Sequence, residues 1–173
     1  GTWIEVQKIV PSDRDVGQAF GEAVGISGNI AIVGAPGNDL DASGSNYLQN
    51  AGAAYVFIRD SAGVWNEMQI VVALDRGFDN VFGSRLAISG DRAIIGAFRE
   101  DEDANGGATM SNSGSAYIFE MDSGGAWNQV QKIVAADRAI EDTYGWAVDI
   151  AGDFAIVGSR GDDEDITGMN YMI

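Results

Sequence analysis

From its third residue the chain reads WIEVQKIV, which sets Trp3, Glu5 and Gln7 against Ile4, Val6 and Lys8. This near two-residue alternation fits a half-buried strand, with a polarity suited to the outer position of a sheet. Next comes AFGEAVGIS, which leads through Gly28-Asn29 into IAIVGA. Glycine followed by Asn or Asp between two apolar runs predicts a tight hairpin, because these residues tolerate the positive φ that the favoured turns require. A fourth strand follows at AGAAYVFIR from Ala51. All four segments are short, and none has a helical period.

The same pattern then returns twice. Trp3, Trp65 and Trp127 stand 62 residues apart. In the same register come the pairs Asp13-Arg14, Asp75-Arg76 and Asp137-Arg138, then Phe20-Gly21, Phe82-Gly83 and Tyr144-Gly145, then the turns Gly28-Asn29, Gly90-Asp91 and Gly152-Asp153. A counterpart of the fourth strand is SGSAYIFE from Ser113. Four antiparallel strands repeated at a period above 40 residues predict propeller blades. The expected fold is all-β, with about three four-stranded blades in one domain over 1–173. Repeat 1 covers 3–64, repeat 2 covers 65–126, and an incomplete repeat 3 covers 127–173. The Trp and aromatic-Gly positions read as scaffold, the ring filling space between blades and the glycine admitting close backbone approach. For the Asp-Arg pair the spacing leaves open a local turn, an inter-blade ion pair or a ligand contact.

Composition narrows the chemistry. The chain is 46% hydrophobic, enough for a folded core, and has neither Cys nor His. That excludes disulfides, thiolate sites, imidazole bases and ordinary zinc ligand sets, and makes a non-enzymatic role the expectation. A formal net charge of -16 disfavours nucleic acid and anionic lipid. No run of 18 apolar residues suggests membrane insertion, and the start GTWIEVQ has no targeting pattern, so the chain is expected to be soluble, mature or a fragment. No N-x-[ST] glycosylation acceptor occurs.

The acids are concentrated. Ten of the 26 fall at 38–41, 100–103 or 162–165, ahead of the fourth-strand motif. The loops read Asp39-x-Asp41-x-Ser43-Gly44, Asp101-x-Asp103-x-Asn105-Gly106 and Asp163-x-Asp165-x-Thr167-Gly168. Alternate oxygens of a tight loop can turn toward one point, and glycine at the sixth position permits the reversal that closes a cage, which suits the oxygen-only preference of Ca²⁺. The alternative is a solvated turn whose Asp and Ser side chains cap their own backbone. At the twelfth position, where an EF-hand carries a bidentate Glu, stand Asn50 and Asn112. The pair Asp101 and Asp103 could in principle serve a glycosidase, but two neighbouring loop acids fit metal ligation better.

Phe20-Gly21 with Gly34-Ala35-Pro36, Phe82-Gly83 with Gly96-Ala97-Phe98, and Tyr144-Gly145 with Gly158-Ser159-Arg160 resemble the FG-GAP repeat, as do Gly52 to Tyr55 and Gly114 to Tyr117. The resemblance spans nearly the whole chain. It implies a β-propeller similar to that of integrin α subunits and a role in adhesion or ligand binding outside the cell, often with calcium. In integrin-like repeats the calcium loop joins the FG and GAP strands. Here that connection is the tight Gly-Asn or Gly-Asp hairpin and the acids stand one loop later, so the metal expectation rests on the loop spacing alone.

Closed propellers have at least four blades, and this sequence supplies about three. Other copies of the chain or further blades are therefore expected to cover its ends, giving a longer propeller, a six-bladed ring of two chains, or a filament. The segment GMNYMI from Gly168 aligns without a gap to GSNYLQ from Gly44, and also fits the fourth-strand motif if the acidic loop were shorter. The leading expectation is an extracellular binding or adhesion module with calcium-stabilised acidic loops and a protein or glycan ligand. The alternative is a structural protein assembling by blade or strand complementation.

Overall fold

The computed structural model describes residues 1–163. Asp165, Thr167 and the segment from Gly168 lie outside the described residues, so the two registers of GMNYMI are not distinguished. Among the described residues there is no helix. The first sheet contains β1 (Val24–Ser27), β2 (Ile30–Ala35), β3 (Ala53–Arg59) and β4 (Trp65–Val71), antiparallel in the order β1-β2-β3-β4. The second repeats it with β5 (Arg85–Ser89), β6 (Arg92–Ala97), β7 (Ser115–Met121) and β8 (Trp127–Ile133). A third sheet is represented by β9 (Tyr144–Ala151) paired with β10 (Phe154–Ser159). These are two four-stranded blades and the inner half of a third.

The hairpins form where the turn residues require. Ser27 pairs with Ile30 across Gly28-Asn29, and Gly28, Gly90 and Gly152 all have positive φ, as the first central residue of a two-residue turn needs. The Trp strand is the outer one, as its polarity suggests, but it closes the sheet of the repeat before its own: β4 pairs with β3 and β8 with β7. Blade and sequence repeat are thus out of phase. The first Trp segment, read from sequence as a strand, is not one here. Among the described residues no sheet pairs with it, and Trp3 is fully exposed, whereas Trp127 is buried.

Blades pack face to face. One core joins Ile32, Val56 and Val71 of blade 1 to Phe82, Leu86, Ile95 and Tyr117 of blade 2. Phe82 lies edge-on to Tyr117 and Phe119 at 5.5 and 5.9 Å. Phe20 repeats this with Tyr55 and Phe57. The glycine of the aromatic-Gly pair has a positional reason. At Gly83, φ is +87° and a Cβ would stand 2.3 Å from the Ala53 carbonyl oxygen of the preceding blade. Gly145 meets Ser115 O in the same way, also at 2.3 Å. Isolated parallel bridges, Gly52 to Phe82 and Gly114 to Tyr144, mark these approaches.

Candidate functional site

The β2–β3 and β6–β7 connections carry the acidic loops. Both are built in one register. The Asn50 amide donates to Asp39 Oδ1 and the Asn112 amide to Asp101 Oδ1, each at 2.7 Å. Leu48 N donates to Asp39 O and Met110 N to Asp101 O, again at 2.7 Å. The predicted reversal occurs at Gly44 and Gly106, with φ of 72° and 73°.

Within this frame Asp41 Oδ1 accepts Ser43 N at 3.0 Å, Ser43 Oγ at 2.6 Å and Ser45 N at 3.1 Å, while Oδ2 takes a short bond from Asn46 Nδ2. Asp103 Oδ1 accepts Asn105 N at 2.8 Å and Gly107 N at 2.9 Å, and Oδ2 accepts Ala108 N at 3.2 Å. These bonds favour the charged form. The Ser43 hydroxyl above all holds Asp41 well below the usual carboxylate range, and Asp103 is lowered too, by the Gly107 amide first. The structure thus places Asp39, Asp41, Ser43, Asp101, Asp103 and Asn105 in two matching loops, their carboxylates directed at loop amides. A cation held by Asp41 or Asp103 would replace some of these bonds. Of the third loop only Asp163 lies among the described residues.

The Asp-Arg pair divides its work. Arg76 donates to the carbonyls of Asp39 and Asn46, both at 3.2 Å, and Arg138 to those of Asp101 and Ala108 at 2.8 and 3.1 Å. Each arginine therefore ties the acidic loop of the preceding repeat to its own. Asn50 and Asn112 add bonds to Asp79 and Glu141 of the following repeat. The aspartate turns the other way: Asp13 accepts Tyr55 OH at 2.7 Å, and Asn38 Nδ2 donates to the same hydroxyl at 2.6 Å.

In blade 2 this polar centre changes character. Glu100 stands where blade 1 has Asn38, Glu102 where it has Leu40, and Lys132 where it has Ile70. Asp75, Glu100 and Glu102 bring carboxylate oxygens within 4.8 Å of one another. Lys132 Nζ lies 2.7 Å from Asp75 and 3.0 Å from Glu100, with its side chain almost fully buried. Burial pushes the Glu100 carboxyl up despite the Ser115 hydroxyl, which donates to it at 2.5 Å. The lysine ammonium is the cation of this cluster. The loop-spacing argument did not find this cluster, because Asp75, the Glu100 and Glu102 pair, and Lys132 come from three separate segments. Comparison of positions 38, 40 and 70 with 100, 102 and 132 carries the signal, since all three change to charged residues together.

No curated protein matches the chain significantly. The profile of the FG-GAP repeat matches residues 3–57, 65–119 and 127–172. The matched segments cover most of the sequence, and the aromatic-Gly contacts between blades occupy the positions for which the repeat is named. The chain belongs to the FG-GAP repeat family.

Proposed function

We propose that the chain is an extracellular, non-enzymatic binding or adhesion module that presents its acidic loops as a rigid face, with calcium stabilising those loops. The observation that supports this reading is the repetition of loop geometry. Two loops of different sequence are closed by the same bonds and anchored to the next repeat by Arg76 and Arg138. Loops held this firmly on a packed scaffold suit recognition. Their acidity selects cationic or neutral partners, such as a basic protein surface or a glycan.

The calcium component draws on the D-x-D-x-[NST]-G spacing. A bound ion stabilises the fold by mass action. Calcium is expected to raise the melting temperature of the wild-type chain, and Asp101→Asn with Asp103→Asn to remove much of that rise. An identical wild-type melting temperature in calcium and in chelator would overturn the metal reading. The recognition reading is tested separately on arrays of glycans and basic proteins. Binding that is equal for the wild type and for a chain with Asp39, Asp41, Asp101 and Asp103 all changed to Asn would sink it.

A further inference from the structure

A cavity of about 410 Å³ lies where the ends of the first two blades meet β9, a size within the roughly 300–1,000 Å³ of small-ligand sites. The backbone around it belongs to the repeat. Asp79 and Val81 on its wall have positive φ, and so do Glu141 and Thr143 one period on. The side chains do not repeat. Positions 36, 98 and 160 read Pro, Phe and Arg, and positions 37, 99 and 161 read Gly, Arg and Gly. Positions 22, 84 and 146 read Glu, Ser and Trp, and positions 23, 85 and 147 read Ala, Arg and Ala. The ring and glycine contacts that recur at both blade junctions use none of these side chains.

Arginines and aromatic rings gather here in an otherwise acidic chain. Phe98 meets Trp146 edge-on at 4.6 Å, and the guanidinium groups of Arg85 and Arg160 lie over the Trp146 ring at 5.1 and 4.6 Å. A stacked guanidinium keeps its N–H edge for an oxyanion. These two cations are incompletely matched. Arg85 donates to the neutral carbonyl of Ser84 and lies 3.5 Å from Glu22, while Arg160 makes no hydrogen bond or ion pair among the described residues. Arg99, by contrast, donates to Asp79 at 2.7 Å, and Asn50 donates to the other oxygen of that carboxylate at 3.1 Å. Beside Arg85, Ser84 is 2% exposed, and its hydroxyl on the cavity wall has no partner among the described residues. A buried hydroxyl left unpaired carries a cost that a ligand oxygen removes.

We propose that this cavity binds a sugar acid, its carboxylate held by Arg85 and Arg160 beside Trp146 and its hydroxyls by Ser84, Glu22 and Asp79. Charge selects the ligand. Three guanidinium groups, of Arg85, Arg99 and Arg160, meet the two carboxylates of Glu22 and Asp79, which leaves one positive charge. That excess suits a single negative charge, and the net charge of -16 turns polyanions away. Glu22 and Asp79 accept hydrogen bonds from hydroxyls, which simple inorganic anions lack. Trp146 and Phe98, both half-buried, offer apolar surface to the C–H side of a sugar ring. The site uses none of the loop carboxylates Asp39, Asp41, Asp101 and Asp103, so it holds independently of the function proposed for those loops. Every group it needs lies among the described residues.

Titration calorimetry of the full chain with glucuronate tests the site, with glucose and acetate as probes that carry the sugar or the charge alone. Chelator in the buffer keeps any calcium effect of the loops out of the measurement. Glucuronate is expected to bind at least about tenfold more tightly than either fragment. Arg85→Gln, and Arg160→Gln on an exposed side chain, are each expected to weaken glucuronate at least about tenfold. Arg59→Gln, at the opposite end of blade 1, is expected to leave it unchanged. Wild-type affinity in both Arg85→Gln and Arg160→Gln overturns the proposal, as does the absence of glucuronate binding up to roughly 10 mM. Equal affinity for glucuronate and acetate, or for glucuronate and glucose, overturns it as well.

Discussion

Replacing Gly83 and Gly21 by alanine, one at a time, separates two reasons for glycine at the same repeat position. Both have positive φ, +87° and +97°, so each substitution carries a conformational cost of about 1–2 kcal/mol. Only Gly83 has a blade in front of it. Its new Cβ would stand 2.3 Å from Ala53 O, whereas at Gly21 nothing lies within 4 Å. Restoring an ordinary 3.4 Å contact moves blade 2 about 1 Å from blade 1, through a core containing Ile32, Phe82 and Tyr117. Overpacking of this kind costs a further ~1–3 kcal/mol. Gly83→Ala is therefore expected to lose about 2 kcal/mol more than Gly21→Ala. Urea unfolding followed by circular dichroism measures both, at low chain concentration so that association does not contribute. Equal losses would refute the close-approach explanation and leave φ as the sole reason for glycine.

Two further outcomes follow from the polar centres. Lys132→Ile strands Asp75 and Glu100 without their cation and is expected to cost ~3–5 kcal/mol, whereas Lys132→Ile with Glu100→Asn recreates the Ile70 and Asn38 set of blade 1 and recovers most of that loss. No recovery in urea unfolding would contradict the assignment of that loss to the stranded Asp75 and Glu100 carboxylates. Hydrogen bonds hold Asp41, Asp60, Asp103 and Asp122 below the ordinary 3.8, so their stabilisation is present above that pH and is lost on acidification below it. Burial instead raises Glu100 and Asp142, whose ionisation lowers stability as pH climbs through their elevated values. Calorimetry between roughly pH 3 and 7 should therefore show a melting temperature that first rises and then falls as the solution is acidified. A monotonic profile would count against this balance.

Sequence alone carried the strands because each lies within a few residues and repeats. The runs at Ile30, Ala93 and Ala155 became β2, β6 and β10, and the Gly-Asn and Gly-Asp turns sit between paired strands. The phase of the blade was hidden, because strand periodicity shows that Trp65–Val71 is a strand without showing which sheet takes it. The acidic loops were legible as loops, down to the reversal at Gly44 and Gly106. Where Asp41 and Asp103 direct their oxygens was not, since Asx turns and metal cages use the same short-range spacing. The Asp75, Glu100 and Lys132 cluster depends on tertiary contacts between three segments, which local pattern does not encode.

The offset between repeat and blade also sets what can be cut out and moved. Excising residues 3–64 would take the first three strands of blade 1 and leave behind β4, the strand that closes it. A fragment running from the aromatic-Gly turn at Phe20 through Val71 carries β1 to β4 together, and with them the hairpins that set their register. For grafting a loop or trimming a blade, the working module therefore starts about a quarter of a period into one repeat and ends inside the next.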